Sequence, residues 1–263
     1  MRILLILLVL FGSIGPIEAQ GDHSNYVTFR TSGKWTIPNG VTQLTIEAWG
    51  GGGGGSSKGG GQGGGYFRIT IPLPPTSAGV VRDIHYDIGQ GGADGAAAGM
   101  PGMSTTISYN NTGLVFTAHG GAGNNGPVND NNAGTFDALT TAQLNQGTYS
   151  LVGANGQFGS SAKILSSSPG QSAGTTYISA VGGDGGEAGH AMNTRGHGGS
   201  EFFITNMTST TQNSVYKLLQ TAPSPGAMPG GGGGGSADVA PPINGNGSSG
   251  ASGGSGMVVF SWN

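Results

Sequence analysis

The sequence predicts an all-β protein, an antiparallel jelly-roll-like sandwich whose glycine-rich segments pack as polyglycine-II-type helices. Three observations predict this fold class. Short runs alternate between apolar and polar residues, as half-buried strands do. Glycine accounts for 57 of the 263 residues, against a usual share of about 7%. The glycines also come in blocks that begin and end at the strand-like runs, and no run has the period of a convincing amphipathic helix.

Ten runs are predicted to be strands because they combine β-branched or aromatic residues with a two-residue period. In the run that ends at Trp49, the side chains of Leu44, Ile46 and Ala48 share one face. The predicted strands are Tyr26–Phe29, Lys34–Ile37, Leu44–Trp49, Tyr66–Ile71, Val80–Ile88, Thr105–Tyr109, Leu114–Ala118, Thr175–Val181, Glu201–Thr205 and Met257–Trp262. The pair that flanks residues 110–113 is predicted to be a hairpin.

The middle of the chain has a weaker pattern. Residues 130–174 are rich in Asn, Ser and Thr and are predicted to form an irregular polar insertion. Thr210–Gln220 and Asp137–Gln146 are the two runs predicted to form short helices. Residues 20–263 are otherwise expected to form a single domain.

Residues 1–19 are predicted to be a signal peptide. The positive start Met1–Arg2 is followed by nine apolar residues, Ile3–Phe11, and Ala19 precedes the expected cleavage at Gln20. Nine residues are too few for a bilayer, which needs about 20. We therefore expect a protein that is secreted, extracellular or on the cell surface, with no membrane span after cleavage.

Composition excludes several classes of protein and site. The chain has no cysteine, which excludes a disulfide framework and a thiolate metal site. Its net charge is −3, with only nine Lys and Arg, so nucleic acid is not an expected partner.

The glycine blocks admit two interpretations. Glycine tracts often serve as flexible linkers. Alternatively, the run Trp49–Gly55 and its counterpart Gly230–Gly235 are ordered polyglycine-II helices, which have three residues per turn and no internal hydrogen bonds. Their backbone groups then pair with neighbouring helices, and this pairing requires inward positions without side chains. Because both blocks adjoin strands, we expect the ordered arrangement.

Two runs resemble a known group of proteins. Trp35–Val41, followed by Leu44–Trp49 and the glycines, resembles the opening of glycine-rich β-modules, and Gly253–Trp262 resembles their close. Such modules occur in phage tail adhesins, in bacterial surface proteins and in the anaplastic lymphoma kinase receptor. The resemblance covers Tyr26–Ile71 and Gly226–Trp262. It implies a jelly-roll-like sandwich with packed polyglycine helices and, as in the adhesins, turns that display receptor-contacting residues.

One glycine-rich loop concentrates polar side chains. Glu187, His190, Arg195 and His197 are predicted to form a ligand-contacting tip. A zinc site built from three of them is the less favoured alternative, because the loop offers no anchoring partner in sequence. Residues 182–187 approximate one copy of a calcium nonapeptide, which needs tandem copies to work. We therefore expect no metal and no cofactor.

No motif of an enzyme is present. Asp83, His85 and Asp87 lie on one face of a predicted strand, where solvated side chains are the usual finding. The spacings of nucleophile-elbow, phosphate-loop and zinc-protease motifs are missing from the sequence. The aromatic residues of the strands, Trp49 and Tyr66 among them, are expected to cover the sheets rather than to stack on sugars.

These observations predict a secreted, non-enzymatic structural or adhesion protein. Its expected partner is a surface receptor, a glycan or other copies of itself, so a homo-oligomer is possible. A glycan- or receptor-binding module that uses the glycine-loop tips is the alternative, and an ice-binding protein is a remote one. The sequons at Asn110, Asn206 and Asn246 matter only in a eukaryotic host.

Overall fold

The computed structural model describes residues 25–57, 59–73, 81–109, 114–123, 134–137, 150–161, 163–169, 175–181, 184–197, 200–206, 213–234, 236 and 249–263. The predicted signal peptide, residues 1–19, lies outside this part of the chain. Within the described residues there is no helix that is long and apolar enough to cross a membrane.

The described residues contain strands and no helices. In chain order the strands are β1 (Asn25–Phe29), β2 (Gly33–Thr36), β3 (Gln43–Trp49), β4 (Tyr66–Pro72), β5 (Asp83–Asp87), β6 (Thr105–Tyr109), β7 (Leu114–Ala118), β8 (Ser150–Ala154), β9 (Lys163–Pro169), β10 (Thr175–Val181), β11 (Ser200–Asn206), β12 (Asn213–Thr221) and β13 (Met257–Trp262). They form three sheets, and every strand pair is antiparallel.

Two of these sheets form the predicted sandwich. One has the strand order β1-β13-β3-β4-β8, and the other has the order β2-β5-β6-β7. The last strand therefore pairs with both β1 and β3, which brings the first and last described strands together. The all-β antiparallel sandwich is confirmed, whereas the jelly-roll connectivity stays a prediction.

The core lies between the facing sides of these two sheets. Leu44, Ile46 and Phe260 come from the five-stranded sheet, and Ile84 and Ile107 come from the four-stranded one; all five side chains are fully buried. Their two-residue spacing along the strands is the alternation that the sequence shows. Aliphatic and aromatic burial of this kind contributes about 1.5–3 kcal/mol per large side chain.

Strands β9 to β12 form a separate four-stranded sheet, which overturns one prediction. Thr210–Gln220 was expected to be helical, but its described part is β12, which pairs with β11 along its length. A short apolar run fits the period of a strand as well as that of a helix. Here the run forms backbone hydrogen bonds with a neighbouring strand. The other predicted helix, Asp137–Gln146, lies outside the described residues beyond Asp137.

The predicted polar insertion is not irregular throughout. Residues 130–174 contain β8 and β9, so this stretch is regular in part. β8 forms an edge of the sandwich beside β4, with Leu151 opposite Ile69. Only one of its residues, Leu151, packs on the core, and this explains the weak apolar pattern.

Twelve segments, labelled g1 to g12, pack side by side, and most of them adjoin a strand. They are g1 (50–56), g2 (59–65), g3 (89–95), g4 (99–104), g5 (119–123), g6 (134–136), g7 (155–161), g8 (184–189), g9 (194–197), g10 (222–227), g11 (230–234) and g12 (250–256). Backbone hydrogen bonds between different segments hold them together.

The hydrogen-bond partners of an inner segment repeat every three residues. In g1, Gly50 and Gly53 donate their N–H groups to g2, and Gly51 and Gly54 donate theirs to g4. Gly52 and Gly55 donate to g12. The carbonyls of g1 accept from g3, g5 and g11, so this one segment has six hydrogen-bonded neighbours.

Segments g2 and g11 have the same arrangement. Segment g2 bonds to g1, g5, g6, g7, g8 and g11, and g11 bonds to g1, g2, g8, g9, g10 and g12. The other nine segments form a closed ring in the order g3-g4-g5-g6-g7-g8-g9-g10-g12, each bonded to the next and g12 to g3. The glycine blocks are therefore a bundle of three inner and nine outer segments, not linkers.

Backbone contact explains why the inner segments are mostly glycine, with the buried Ser56 and Gln62 as exceptions in g1 and g2. A Cβ added to Gly53 would lie 1.9 Å from the carbonyl oxygen of Ala122, and one added to Gly61 would lie 2.2 Å from that of Gly53. No side chain fits at such distances, because the obstructing atoms belong to backbone. The outer segments, in contrast, carry side chains where they face away from the bundle.

Candidate functional site

The predicted ligand-contacting residues lie on g8, on g9 and in the turn that joins them. Every third residue of this stretch, Asp184, Glu187 and His190, faces outward, while Gly185 and Ala188 are buried. The three-residue period follows from the packing of g8 against the inner segments. The joining residues Gly189–Asn193 are called the 189–193 turn below.

The turn is fixed to the outer face of the five-stranded sheet. The Trp49 indole N–H donates to the Gly189 carbonyl at 2.9 Å, and this hydrogen bond is buried. The ring of His190 stacks on that of Tyr66, with centroids 4.9 Å apart and planes 19° from parallel. Trp49 and Tyr66 are themselves in contact, at 4.9 Å between centroids. These aromatic rings therefore cover the sheet, as the sequence predicts.

The Tyr66 hydroxyl is held in its neutral form. It donates a 2.7 Å hydrogen bond to Glu47 Oε1. Burial raises the pKa of this hydroxyl strongly, and the hydrogen bond to Glu47 and the charge of that carboxylate raise it further. The Tyr66 hydroxyl therefore remains a hydrogen-bond donor to Glu47.

Further hydrogen bonds fix the backbone within the turn. The Ala188 N–H donates to Thr194 Oγ1 at 3.0 Å, and the Asn193 N–H donates to Glu187 Oε1 at 3.1 Å. His190 and Asn193 have φ angles of 54° and 57°, and they are the non-glycine residues with positive φ in the described chain. Histidine and asparagine are among the side chains that adopt this conformation most readily. Glu187 therefore helps to fix the turn through Oε1, and its role towards a ligand stays a prediction.

The four predicted residues do not form one cluster. His190 lies beside the sandwich, because Gly189 bonds to Gly64 near the start of β4. His197 lies at the opposite end of g8, where its Nδ1 is 3.8 Å from Asp184 Oδ1. Arg195 lies on g9 between them and is exposed. Two sites result, one at the turn and one at the Asp184–His197 pair.

Met192 is the residue at the turn that sequence reasoning missed. Its side chain is 85% exposed, the highest value among the exposed large apolar residues of the described chain. It lies between His190 and Asn193, so the fixed backbone presents it to solvent. Sequence reasoning looked for charged and aromatic ligands, and an isolated methionine gives no such signal.

A second polar cluster joins g4, g5 and the end of g6. His119 Nε2 is 2.8 Å from Asp137 Oδ1, and His119 Nδ1 is 3.4 Å from Ser104 Oγ. The hydrogen bond from His119 is the largest cause of the lowered pKa of the Asp137 carboxyl, and one from Thr117 adds to it.

Serine, histidine and aspartate are also the members of a hydrolytic triad. The distances and the exposure of these three side chains fit structural hydrogen bonds better. A nucleophile and its base are usually about 2.6–3.2 Å apart, and the triad aspartate is buried. Here the serine is 3.4 Å away and the Asp137 side chain is 56% exposed. The cluster ties residues 134–137 to the bundle. It was not visible in sequence because its members come from separate segments.

The remaining polar face of β5 is solvated. His85 and Asp87 are exposed, and Asp83 accepts hydrogen bonds from Thr36 and Lys34. The Thr36 hydrogen bond, followed by that of Lys34, lowers the pKa of the Asp83 carboxyl. Within the described part of the chain, no three His, Asp or Glu side chains come close enough together to hold a metal ion.

A family model described as a glycine-rich domain matches residues 28–263, which is nearly the whole chain. A search of curated proteins found no significant match. The matched residues include the sandwich, the bundle and the 189–193 turn.

Proposed function

The chain belongs to the glycine-rich domain family, and on that premise we propose that it is a secreted, non-enzymatic structural or adhesion protein of a cell surface or an extracellular assembly. The observation that carries this proposal is the three-residue period of the bundle. Inner positions are closed by backbone contact, and outer segments direct their side chains to solvent in rows. Such a bundle is a stiff scaffold for display, which suits a role in contact and assembly.

The segments g1 to g12 are, in this proposal, polyglycine-II-type helices carried by a jelly-roll-like sandwich. Polyglycine II has three residues per turn and no internal hydrogen bonds. The three-residue repeat of partners in g1 and g2 supports this identification. Six neighbours per inner segment agree with it, because a three-fold helix directs its N–H and C=O groups to all sides.

Secretion is proposed from the leader alone, so it needs its own test. Tagged at the C-terminus and expressed in its own host, the protein is expected in the medium or on the surface of intact cells. Its N-terminal sequence is expected to begin at Gln20. Retention of an uncleaved chain inside the cell would contradict the proposal.

The second candidate is a glycan- or receptor-binding module, and the 189–193 turn favours it. The turn is held by buried hydrogen bonds and presents exposed His190 and Met192, and Arg195 is exposed beside it on g9. A surface that is ordered before binding loses less entropy when a partner docks. The turn and the neighbouring side chains of g9 are therefore the proposed contact.

The test compares binding to cells of the host by the purified, fluorescently labelled protein and its variants. The His190→Ala/Arg195→Ala variant is expected to bind at least about tenfold more weakly, as for loss of a side chain that contributes to a binding hot spot. His85→Ala is the matched control, because His85 is exposed on β5, away from the turn. Equal binding by both variants would exclude the turn as the contact, and a glycan array then searches for another site.

A further inference from the structure

In four places of the described chain, an asparagine or an aspartate is followed directly by glycine. These pairs are Asn39-Gly40, Asp94-Gly95, Asn155-Gly156 and Asp184-Gly185. Asparagine is one of the chemically labile residues of proteins. Its side chain closes into a five-membered succinimide ring when the nitrogen of the next residue attacks it, and a following glycine has no Cβ to obstruct that approach. The surroundings of the glycine nitrogen therefore decide which pair is reactive in the folded protein.

Three of the four glycines lie in the bundle, where their nitrogens are already engaged. The N–H groups of Gly95, Gly156 and Gly185 donate to carbonyls of other segments at 3.2, 2.9 and 2.8 Å. Gly156 and Gly185 are also buried, and a Cβ added to Gly156 would lie 2.1 Å from the carbonyl oxygen of Gly63. Ring closure requires the nitrogen to lose its proton and to move onto the side chain. The hydrogen bonds and the close packing both oppose this.

The pair Asn39-Gly40 has different surroundings, because it lies at the tip of the link between β2 and β3. Pro38, Asn39 and Gly40 are exposed, whereas Ile37 and Val41 on either side are buried. Among the described residues, the Gly40 N–H has no hydrogen-bond partner. Apart from the chain neighbours, nothing lies within 4 Å of a Cβ added to Gly40. The nitrogen is therefore accessible to base, and the tip has room to bend.

We propose that Asn39 is a site of spontaneous deamidation, and that the fold protects Asn155 from the same reaction. The deprotonated Gly40 nitrogen attacks Asn39 Cγ, so that a C–N bond forms, the Cγ–Nδ2 bond breaks and Nδ2 leaves as ammonia. Water then opens the succinimide ring. Attack of water at Cγ gives aspartate, and attack at the backbone carbonyl carbon gives isoaspartate, in which the chain runs through the side chain. The reaction consumes water and releases ammonia, and it needs no enzyme, oxidant or reductant.

Deamidation changes the charge and the backbone at one end of the sandwich. A neutral amide becomes a carboxylate, and isoaspartate adds an atom to the backbone between β2 and β3. The residues on either side of the tip are held by Arg82, whose carbonyl accepts from the Ile37 N–H at 2.9 Å and whose Nη2 donates to the Val41 carbonyl at 3.1 Å. We therefore expect the change to stay within the tip. This inference goes beyond the proposed function and does not depend on it.

Peptide mapping of the purified protein after storage in mildly alkaline buffer tests this proposal. The tryptic peptide 35–58 contains Asn39 as its sole asparagine, and the chymotryptic peptide 150–158 contains Asn155 as its sole asparagine. In the native protein, Asn39 is expected to convert at least about tenfold faster than Asn155, because Asn155 reacts only after local opening of the bundle. In urea the two rates are expected to converge, because both asparagines precede glycine.

Asn39→Gln is the matched variant, because its amide lies one methylene further out and does not close a five-membered ring. It is expected to abolish conversion at residue 39 and to leave the circular dichroism spectrum unchanged. Hydroxylamine, which attacks succinimides, is expected to cleave the native wild type between Asn39 and Gly40 and to leave this bond intact in the variant. Equal native rates at Asn39 and Asn155 would overturn the proposal. So would an Asn39 that reacts only in urea, or a native wild type that hydroxylamine does not cleave at Gly40.

Discussion

At the scale of single residues, glycine is required at the inner positions because neighbouring backbone leaves no room for a side chain. A left-handed backbone conformation is not the reason at most of them. Among the described glycines, only Gly40, Gly59 and Gly230 have positive φ, and the φ of Gly59, at 159°, lies at the limit of the region that favours glycine. The others have angles that alanine adopts readily. At most glycines of the inner segments, Gly53 among them, an added Cβ would instead meet a neighbouring backbone carbonyl. An inner glycine of the bundle is therefore harder to replace than a glycine that a turn needs only for its positive φ.

Gly53→Ala and Gly40→Ala separate these two causes. The added methyl at Gly53 would lie 1.9 Å from a carbonyl oxygen, so we expect a loss of about 3 kcal/mol or more in the free energy of unfolding. Gly40, at φ 86°, has nothing within 4 Å of the added Cβ. Its substitution costs only the left-handed conformation, about 1–2 kcal/mol. Urea denaturation measures both, and equal losses would contradict close backbone packing.

The lowered pKa of Asp137 gives a residue-scale prediction about pH. Its folded pKa lies below the unfolded value of about 3.9, so the carboxylate contributes stability above that pH and loses it as pH falls through the folded pKa. The side chain is 56% exposed, which limits the contribution to less than about 1 kcal/mol.

Carbon-detected NMR titration of the carboxyl groups measures the effect directly. We expect His119→Ala to raise the pKa of Asp137 towards its ordinary value, because the largest cause of the shift is removed. Asp83 serves as the control, because Thr36 and Lys34 lower its pKa instead. An unchanged Asp137 titration would show that His119 does not bond to it.

At the scale of elements, the 189–193 turn depends on one buried donor. Trp49→Phe removes the indole N–H and leaves the Gly189 carbonyl without it, at a cost of about 1–3 kcal/mol. Hydrogen exchange of residues 188–194 is expected to accelerate more than that of the sandwich strands. Trp35→Phe is the control, because Trp35 lies on β2 of the four-stranded sheet and stacks on Phe260 at the core, away from the turn. Uniform acceleration in both variants would contradict a specific hold on the turn.

The strands show how far local pattern predicts structure. Four predicted strands have the observed bounds: Thr105–Tyr109, Leu114–Ala118, Thr175–Val181 and Met257–Trp262. Those that pack on the core are amphipathic, so the two-residue period is visible in sequence. β8 and β9 were missed, and β12 was predicted as a helix, because their order comes from pairing with neighbouring strands.

The sites were less predictable than the strands. Sequence reasoning placed His190 and His197 in one tip because only six residues separate them, yet the turn sends them to opposite ends of g8. His119 and Asp137 meet across two segments, and so do Met103 and Gln90. The fold determines which segments lie side by side in the bundle. The spacing of residues along the sequence does not show this.

At the scale of the whole molecule, the bundle depends on the sandwich for its ends. β3 leads into g1 and g2 leads into β4, while g12 leads into β13, which pairs with β3. Strand pairing thereby brings the glycine blocks beside one another, and interior hydrogen bonds then offset part of the entropy that glycine loses on ordering. The sandwich thereby determines which glycine segments lie side by side.

Hydrogen exchange followed residue by residue in the native protein tests this account most directly. We predict that the amides of g1, g2 and g11 are protected as strongly as those of β3 and β4, because all three inner segments are enclosed by hydrogen-bonded neighbours. Exchange of these amides at the rate of an unstructured chain, with the sandwich still protected, would contradict the account and return the glycine blocks to linkers.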